Sequence, residues 1–353
     1  MKYALMIGLV LLASVFSDKY KSAFGDNSKD EYELIRKYLL NDNPLYGFNR
    51  PKLWVHTTYA YNARVWKSFG SRSSYDLNQP YLHLTVKTLI NHCGKDFNIC
   101  LIDDESFHQL LPHWKTNMLE IPEPQRAFHR ELALLELLHM YGGFLVPNSF
   151  ACVKNLYPMY KNTLETNSNK PFVVEMVNPY VSRSDKMYVP NDRFLGAPKR
   201  DDTIRALCEY LKTICNQPML GGSEQLEFTG VMSEWLSKAV EQRQFTLVDG
   251  IYVGAKTIRG KAVVLEDLMQ QKDLDIPTDM LYGVLVPAKS LLTRTKYQWF
   301  AVLPEKDVLE VDCALSRMLL RGILDDVERR PTTTSSSDWA IGEEDARDTV
   351  ISI

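Results

Sequence analysis

The stretch Phe128-His129-Arg130-Glu131-Leu132-Ala133-Leu134-Leu135-Glu136-Leu137-Leu138-His139-Met140-Tyr141-Gly142-Gly143-Phe144-Leu145-Val146, residues 128–146, decides the fold. Leu132, Leu135, Leu138 and His139 recur at helical spacing, so residues 128–141 are expected to form a helix. Gly142 is a typical helix stop. Phe144-Leu145-Val146 then reads as a short buried strand.

Working outward, the alternation continues. Leu53-Trp54-Val55 reads as a strand, Leu82 to Ile90 as a helix, and Phe97 to Ile102 as a second strand ending at Asp103-Asp104. Downstream, Phe172 to Val177 and Arg193 to Ala197 read as strands, with a helix from Asp202 to Ile214. Strands alternating with helices predict an α/β fold: an open, mostly parallel sheet flanked by helices. Residues 51–323 are expected to form one main domain. Its C-terminal extension carries strand-like pieces at Val263-Val264-Leu265 and Tyr282 to Val286 and a helix at Val311 to Ile323. In such sheets ligands bind outside the C-terminal strand ends. Asp103-Asp104 and Val146-Pro147-Asn148-Ser149 fall at two of these ends.

Composition sets the outer limits. The chain has 353 residues, 45% hydrophobic and 24% charged, enough for a sizeable core. A net charge of -3 argues against a nucleic-acid partner. Lys2 precedes an apolar run from Tyr3 to Phe16, too short for an ordinary membrane span and of the length of a signal-peptide core. Residues 1–17 are therefore expected to be a cleaved signal or a signal-anchor, giving a membrane contact through this segment and delivery to a secretory lumen. Residues 18–50 read as a stem with a helix around Glu31 to Leu40. Residues 324–353 read as a disordered acidic Ser/Thr-rich tail. Cys93/Cys100 and Cys208/Cys215 are spaced so that a turn or helix could pair them; buried free thiols are the alternative.

The order of motifs resembles the glycosyltransferases with a DXD sugar-binding motif, the group of the initiating mannosyltransferases and capsular-polysaccharide sugar transferases. Pro51-Lys52-Leu53-Trp54-Val55-His56 stands where that group has Pro-x-x-Ile-His. Tyr141-Gly142-Gly143-Phe144-Leu145-Val146 matches its helix, Tyr-Gly-Gly and strand. Asn191-Asp192-Arg193-Phe194 resembles an Asn-x-Phe strand, and Phe228-Thr229-Gly230 is a partial counterpart of a Thr-Gly-Pro segment. The resemblance spans roughly residues 51 to 240. It implies a GT-A-like fold and transfer of a hexose from a nucleotide sugar to a glycan or glycoprotein acceptor. It places His56, Thr57, Arg130, Glu131, Gly142, Gly143, Asn148, Ser149, Thr229 and Gly230 around the donor. Asp103, Asp104 and Asp192 become the catalytic candidates, Asp192 as general base toward an acceptor hydroxyl.

The departures bear on chemistry. The Asp-x-Asp position reads Pro147-Asn148-Ser149. Mg²⁺ and Mn²⁺ favour anionic oxygen ligands, and these three residues provide no carboxylate. Glu131 and Leu134 stand where the family has Asp and Arg, with Arg130 alongside. Three explanations compete: a metal-independent enzyme using Arg130 or Lys154 at the leaving diphosphate, a metal displaced to Asp103 and Asp104, or a non-catalytic glycosyltransferase-like binding or structural protein. Asp103-Asp104 also reads as a helix N-cap. His92, His108 and His113 form no ligand pattern, Gly221-Gly222-Ser223 reads as a turn, and no Gly-x-Ser-x-Gly or Walker motif occurs.

Overall fold

The computed structural model describes residues 50–57, 79–122, 125–179, 186–215 and 224–329, without the side chains of 224–231 and 325–329. The apolar run at 3–16, the helix expected at 31–40, Gly221-Gly222-Ser223 and the tail beyond 329 lie outside these residues.

The six-stranded sheet joins β1 (Lys52–His56), β2 (Asn98–Ile102), β3 (Gly143–Leu145), β5 (Phe172–Val177), β6 (Tyr188–Ala197) and β7 (Thr246–Val248) in the order β2-β1-β3-β6-β5-β7. β1 pairs in parallel with β2 and β3, and β5 with β7; β6 runs antiparallel to both β3 and β5. Five strands therefore share one direction and one C-terminal edge. β4 (Phe150–Cys152) and β8 (Gly283–Leu285) form a separate antiparallel pair.

Period-2 alternation explains why both faces of the sheet are covered. Trp54, Cys100, Leu145, Val173 and Leu195 face one core, while Leu53, Val55, Ile99, Leu101, Phe144 and Val174 face the other. The first core is closed by α3 (Gln125–Tyr141), α5 (Asp202–Cys215) and α6 (Glu224–Glu241). The second is closed by α1 (Pro80–Cys93) and α4 (Tyr157–Thr166), which follow β1 and β4. A third cluster joins the small sheet to α7 (Leu265–Leu268), α8 (Ala288–Thr293), α9 (Gln298–Ala301), α10 (Glu305–Glu310) and α11 (Ala314–Arg329). This cluster includes Tyr81 and Leu84 of α1, so the C-terminal extension packs onto the main domain. The protein is a single α/β domain.

The strands and helices expected between Leu53 and Ile214 are present, with differences in detail. β6 begins at Tyr188, five residues before the strand expected from Arg193. Val263-Val264-Leu265 is not a strand: Val263 lies in a loop and Leu265 opens α7. α11 continues to Arg329, past the expected start of the tail at 324.

The backbone explains both glycines after Tyr141. Gly142 and Gly143 have φ of 67° and 109°. A Cβ on Gly143 would lie 2.2 Å from the Lys52 carbonyl oxygen, and one on Gly142 2.7 Å from the Lys199 nitrogen. Only glycine fits such a left-handed, closely approached turn.

β6 departs from regular pairing. Pro190 faces Glu175 and Leu195 faces Val173, so four residues of β6, Asn191 to Phe194, oppose the single residue Val174. The result is a large bulge, and its Asn191 side chain accepts a hydrogen bond from the Arg193 nitrogen at 3.0 Å.

Candidate functional site at the C-terminal strand edge

The α3-facing positions of β1 and β2 turn polar where the strands end. His56 continues the face of Trp54, and Asp104 continues that of Cys100 and Ile102. α3 leads through Gly142 into β3, so its N-terminal half lies over this edge and brings Arg130 there. Arg130 donates to Asp104 through Nε (2.7 Å, Oδ1) and Nη2 (2.6 Å, Oδ2). His56 Nε2 lies 2.9 Å from Asp104 Oδ1. The imidazole lies nearly parallel to the Phe107 ring, 5.9 Å between centroids.

All three polar side chains are largely shielded, with 12–14% of their surface exposed. Burial alone would raise the Asp104 carboxyl; hydrogen bonds from Arg130 and His56, and the charges behind them, outweigh it and hold the group well below the usual carboxylate range. Burial lowers the His56 imidazole from its ordinary value, against the pull of Asp104.

A second pair adjoins the first. Arg193, on the β6 bulge, forms an ion pair with Glu131, a side chain only 5% exposed. The positive charge of Arg193 also acts on His56. Burial first, then the neighbouring Glu131 carboxylate, pushes half-buried Asp192 up to about 7. Farther along the edge, Lys256 Nζ sits 3.2 Å from Asp249 Oδ2 and also binds Glu175, whose Oε2 accepts from the Gly250 nitrogen.

The expected residues divide accordingly. His56, Asp104, Arg130, Glu131 and Asp192 come together, and Thr57 follows His56 at the same strand end. Asp192 belongs to the bulged part of β6. Pro147, Asn148 and Ser149 leave β3 at this edge, but the Asn148 and Ser149 carbonyls are spent on Thr85 Oγ1 and the Val286 nitrogen.

Gly142 and Gly143 are corrected. They sit at the start of β3, on the opposite edge from the donor position expected of them, and their role is backbone approach. Thr229 and Gly230 fall inside α6. Lys154 donates to the Asp279 carbonyl and lies over the Tyr282 ring.

A metal displaced to Asp103 and Asp104 does not fit. Asp103 Oδ1 caps α2 (Ser106–Leu110), accepting from the Glu105 and Ser106 nitrogens and from Ser106 Oγ. Both Asp104 oxygens accept from Arg130, and His56 Nε2 lies against Oδ1 as well. Among the described residues no group of three His, Cys, Asp or Glu side chains could hold a metal ion. Nor do the cysteine spacings produce pairs: all six cysteines are free thiols. Among the described residues no helix is long and apolar enough to cross a membrane.

Two contributors were not singled out from sequence, Arg193 and Phe107. Phe107 carried a detectable signal, as one of two apolar residues, with Leu110, in the short helix after Asp103. Arg193 lies in the bulge, where period-2 counting fails. Compared with protein-family models, curated proteins and solved structures, the chain matches none.

Proposed function

We propose that this chain binds a nucleotide sugar at the C-terminal strand edge and transfers its hexose to a hydroxyl of a glycan or glycoprotein, with arginines in place of a divalent cation at the diphosphate. The observation that carries this reading is the placement of Arg130 and Arg193 at the ends of β1, β2 and β3, in a sheet whose other edge is closed by tight backbone turns. Guanidinium groups match phosphate oxygens in a planar, bidentate manner. GT-A-like architecture and the motif order from Pro51 to Phe194 support the same reading.

In the transfer, the bond between the sugar C1 and the diphosphate oxygen breaks, and the electron pair leaves with the diphosphate. The acceptor hydroxyl oxygen bonds to C1, and its proton passes to the Asp192 carboxylate. A carboxyl near 7 is matched to that task at neutral pH. The N-terminal apolar run would deliver the domain to a secretory lumen, which N-terminal sequencing of the mature protein checks.

The test is thermal unfolding with a panel of nucleoside diphosphates and their sugar conjugates, with EDTA and with Mn²⁺. One nucleotide is expected to raise Tm equally in both conditions, and Arg193→Ala to abolish the rise. No stabilisation by any nucleotide sinks the proposal, and stabilisation only with Mn²⁺ sinks its metal-independent form.

A second reading, a non-catalytic binding protein, is favoured by one observation. Both arginines are already neutralised by Asp104 and Glu131. Stabilisation without release of free nucleoside diphosphate from the sugar conjugate, with acceptor glycans present, would assign it.

A further inference from the structure

The ion pair of Arg130 and Asp104 does more than balance charge, because it leaves one nitrogen of His56 in a defined state. Asp104 is ionised and its oxygens take two hydrogen bonds from the Arg130 fork. An ionised carboxylate can only accept, so His56 Nε2 must carry the proton in the 2.9 Å contact. In the neutral ring Nδ1 is then an acceptor. Among the described residues Nδ1 has no hydrogen-bond partner, and Trp114 Nε1 is the one side-chain polar atom sealed from solvent without a partner. The His56 side chain keeps 12% of its surface exposed, so the ring is not sealed from solvent. The nearly parallel ring of Phe107 fixes the plane of the imidazole.

We infer that His56 Nδ1 accepts a hydrogen bond from a hydroxyl of the molecule bound at this edge, with Asp104 and Arg130 as positioning residues that fix its tautomer. This rests on the nucleotide-sugar reading above, in which ribose and hexose both carry such hydroxyls. The arginines on either side recognise anionic oxygens. A fixed neutral acceptor beside them reads O–H donors, which those arginines cannot do. Glu131 is paired with Arg193, Glu175 and Asp249 are paired with Lys256, and Asp192 sits on the bulge beside Arg193.

The experiment combines calorimetric titration with nitrogen NMR of ¹⁵N-histidine-labelled full-length protein. The probes are UDP, GDP, their 2′-deoxy forms and their hexose conjugates. The free protein should show His56 protonated at Nε2 alone, and the Nδ1 resonance should shift when a nucleotide binds. His56→Phe keeps the ring stack and removes the acceptor, and should weaken binding about five- to tenfold, the size of one net hydrogen bond. Asp104→Asn should mix the tautomers and weaken the same ligand.

If the penalty of His56→Phe disappears with the 2′-deoxy nucleotide, the ribose is the donor. If it appears only with the sugar conjugate, the donor is the hexose. Either result supports the inference. Should wild-type protein bind a nucleotide while Nδ1 does not shift and His56→Phe binds equally well, the inference falls and the nucleotide reading stands. Binding of no probe by the wild type removes both. Were His56→Phe to misfold, the wild-type tautomer and the Nδ1 shift would decide alone.

Discussion

The two ends of β3 lie only a few residues apart and are built on different physics. At the start, Gly142 and Gly143 let the chain turn against Lys52 and Lys199 at distances no Cβ tolerates. At the exit, Pro147-Asn148-Ser149 gives way to neighbours that pair arginine with carboxylate. The first end is fixed by excluded volume, which is absolute and local. The second is fixed by charge pairing, which allows one partner to be exchanged for a ligand. A Tyr-Gly-Gly match therefore reports on scaffold, and the residues after Val146 report on chemistry.

The largest expected effect tests the first end. Gly143→Ala forces a Cβ into the Lys52 carbonyl at a φ of 109° and should cost about 3–5 kcal/mol, read by urea unfolding. A cost below about 1 kcal/mol would break the contrast. Arg130→Ala should come next, at about 3 kcal/mol, because it leaves the shielded Asp104 carboxylate with His56 alone.

Asp192→Asn probes the charged end by pH. The folded carboxyl sits near 7 and the unfolded one near 4, so the folded state holds a proton that the unfolded chain releases over that window. Stability therefore falls as pH rises from about 4 to 7, and the loss is complete above 7. The Asn variant should lack this decline and gain on the order of 1–2 kcal/mol over wild type at pH 8, because solvent reaches the half-buried group and screens part of the shift. Asp104 titrates with the opposite sign. Its contribution is present above about pH 4 and is lost as pH falls through the depressed folded value. The smallest effect belongs to Asp103→Ala, which removes the α2 cap and should cost about 1 kcal/mol with nucleotide binding unchanged.

Much of this could be read from the chain, and the failures have physical causes. α3 and β3 were legible because Leu132, Leu135 and Leu138 keep a helical period and Gly142 ends it. β4 and β7 were not: Phe150-Ala151-Cys152 and Thr246-Leu247-Val248 are too short to show any period. The start of β6 was hidden by Pro190, whose missing donor is accommodated beside the register shift. His56, Asp104 and Arg130 were each visible as polar residues at element ends, but their convergence depends on a pairing of β1 with β2 that is not written locally. Gly142 and Gly143 misled for the opposite reason. Their identity is dictated by space, and a resemblance to a binding motif does not separate space from recognition.

The bulge in β6 also ties the site to the core. Asn191 to Phe194 provide three more residues than the facing strand needs, while Tyr188 to Pro190 and Leu195 to Ala197 keep their partners on either side. Phe194 anchors the far end of the bulge, fully buried against Phe144 and Phe150, so the segment bearing Asp192 and Arg193 is held from the core side. At this edge the same four residues that carry a charge outward also fill the core.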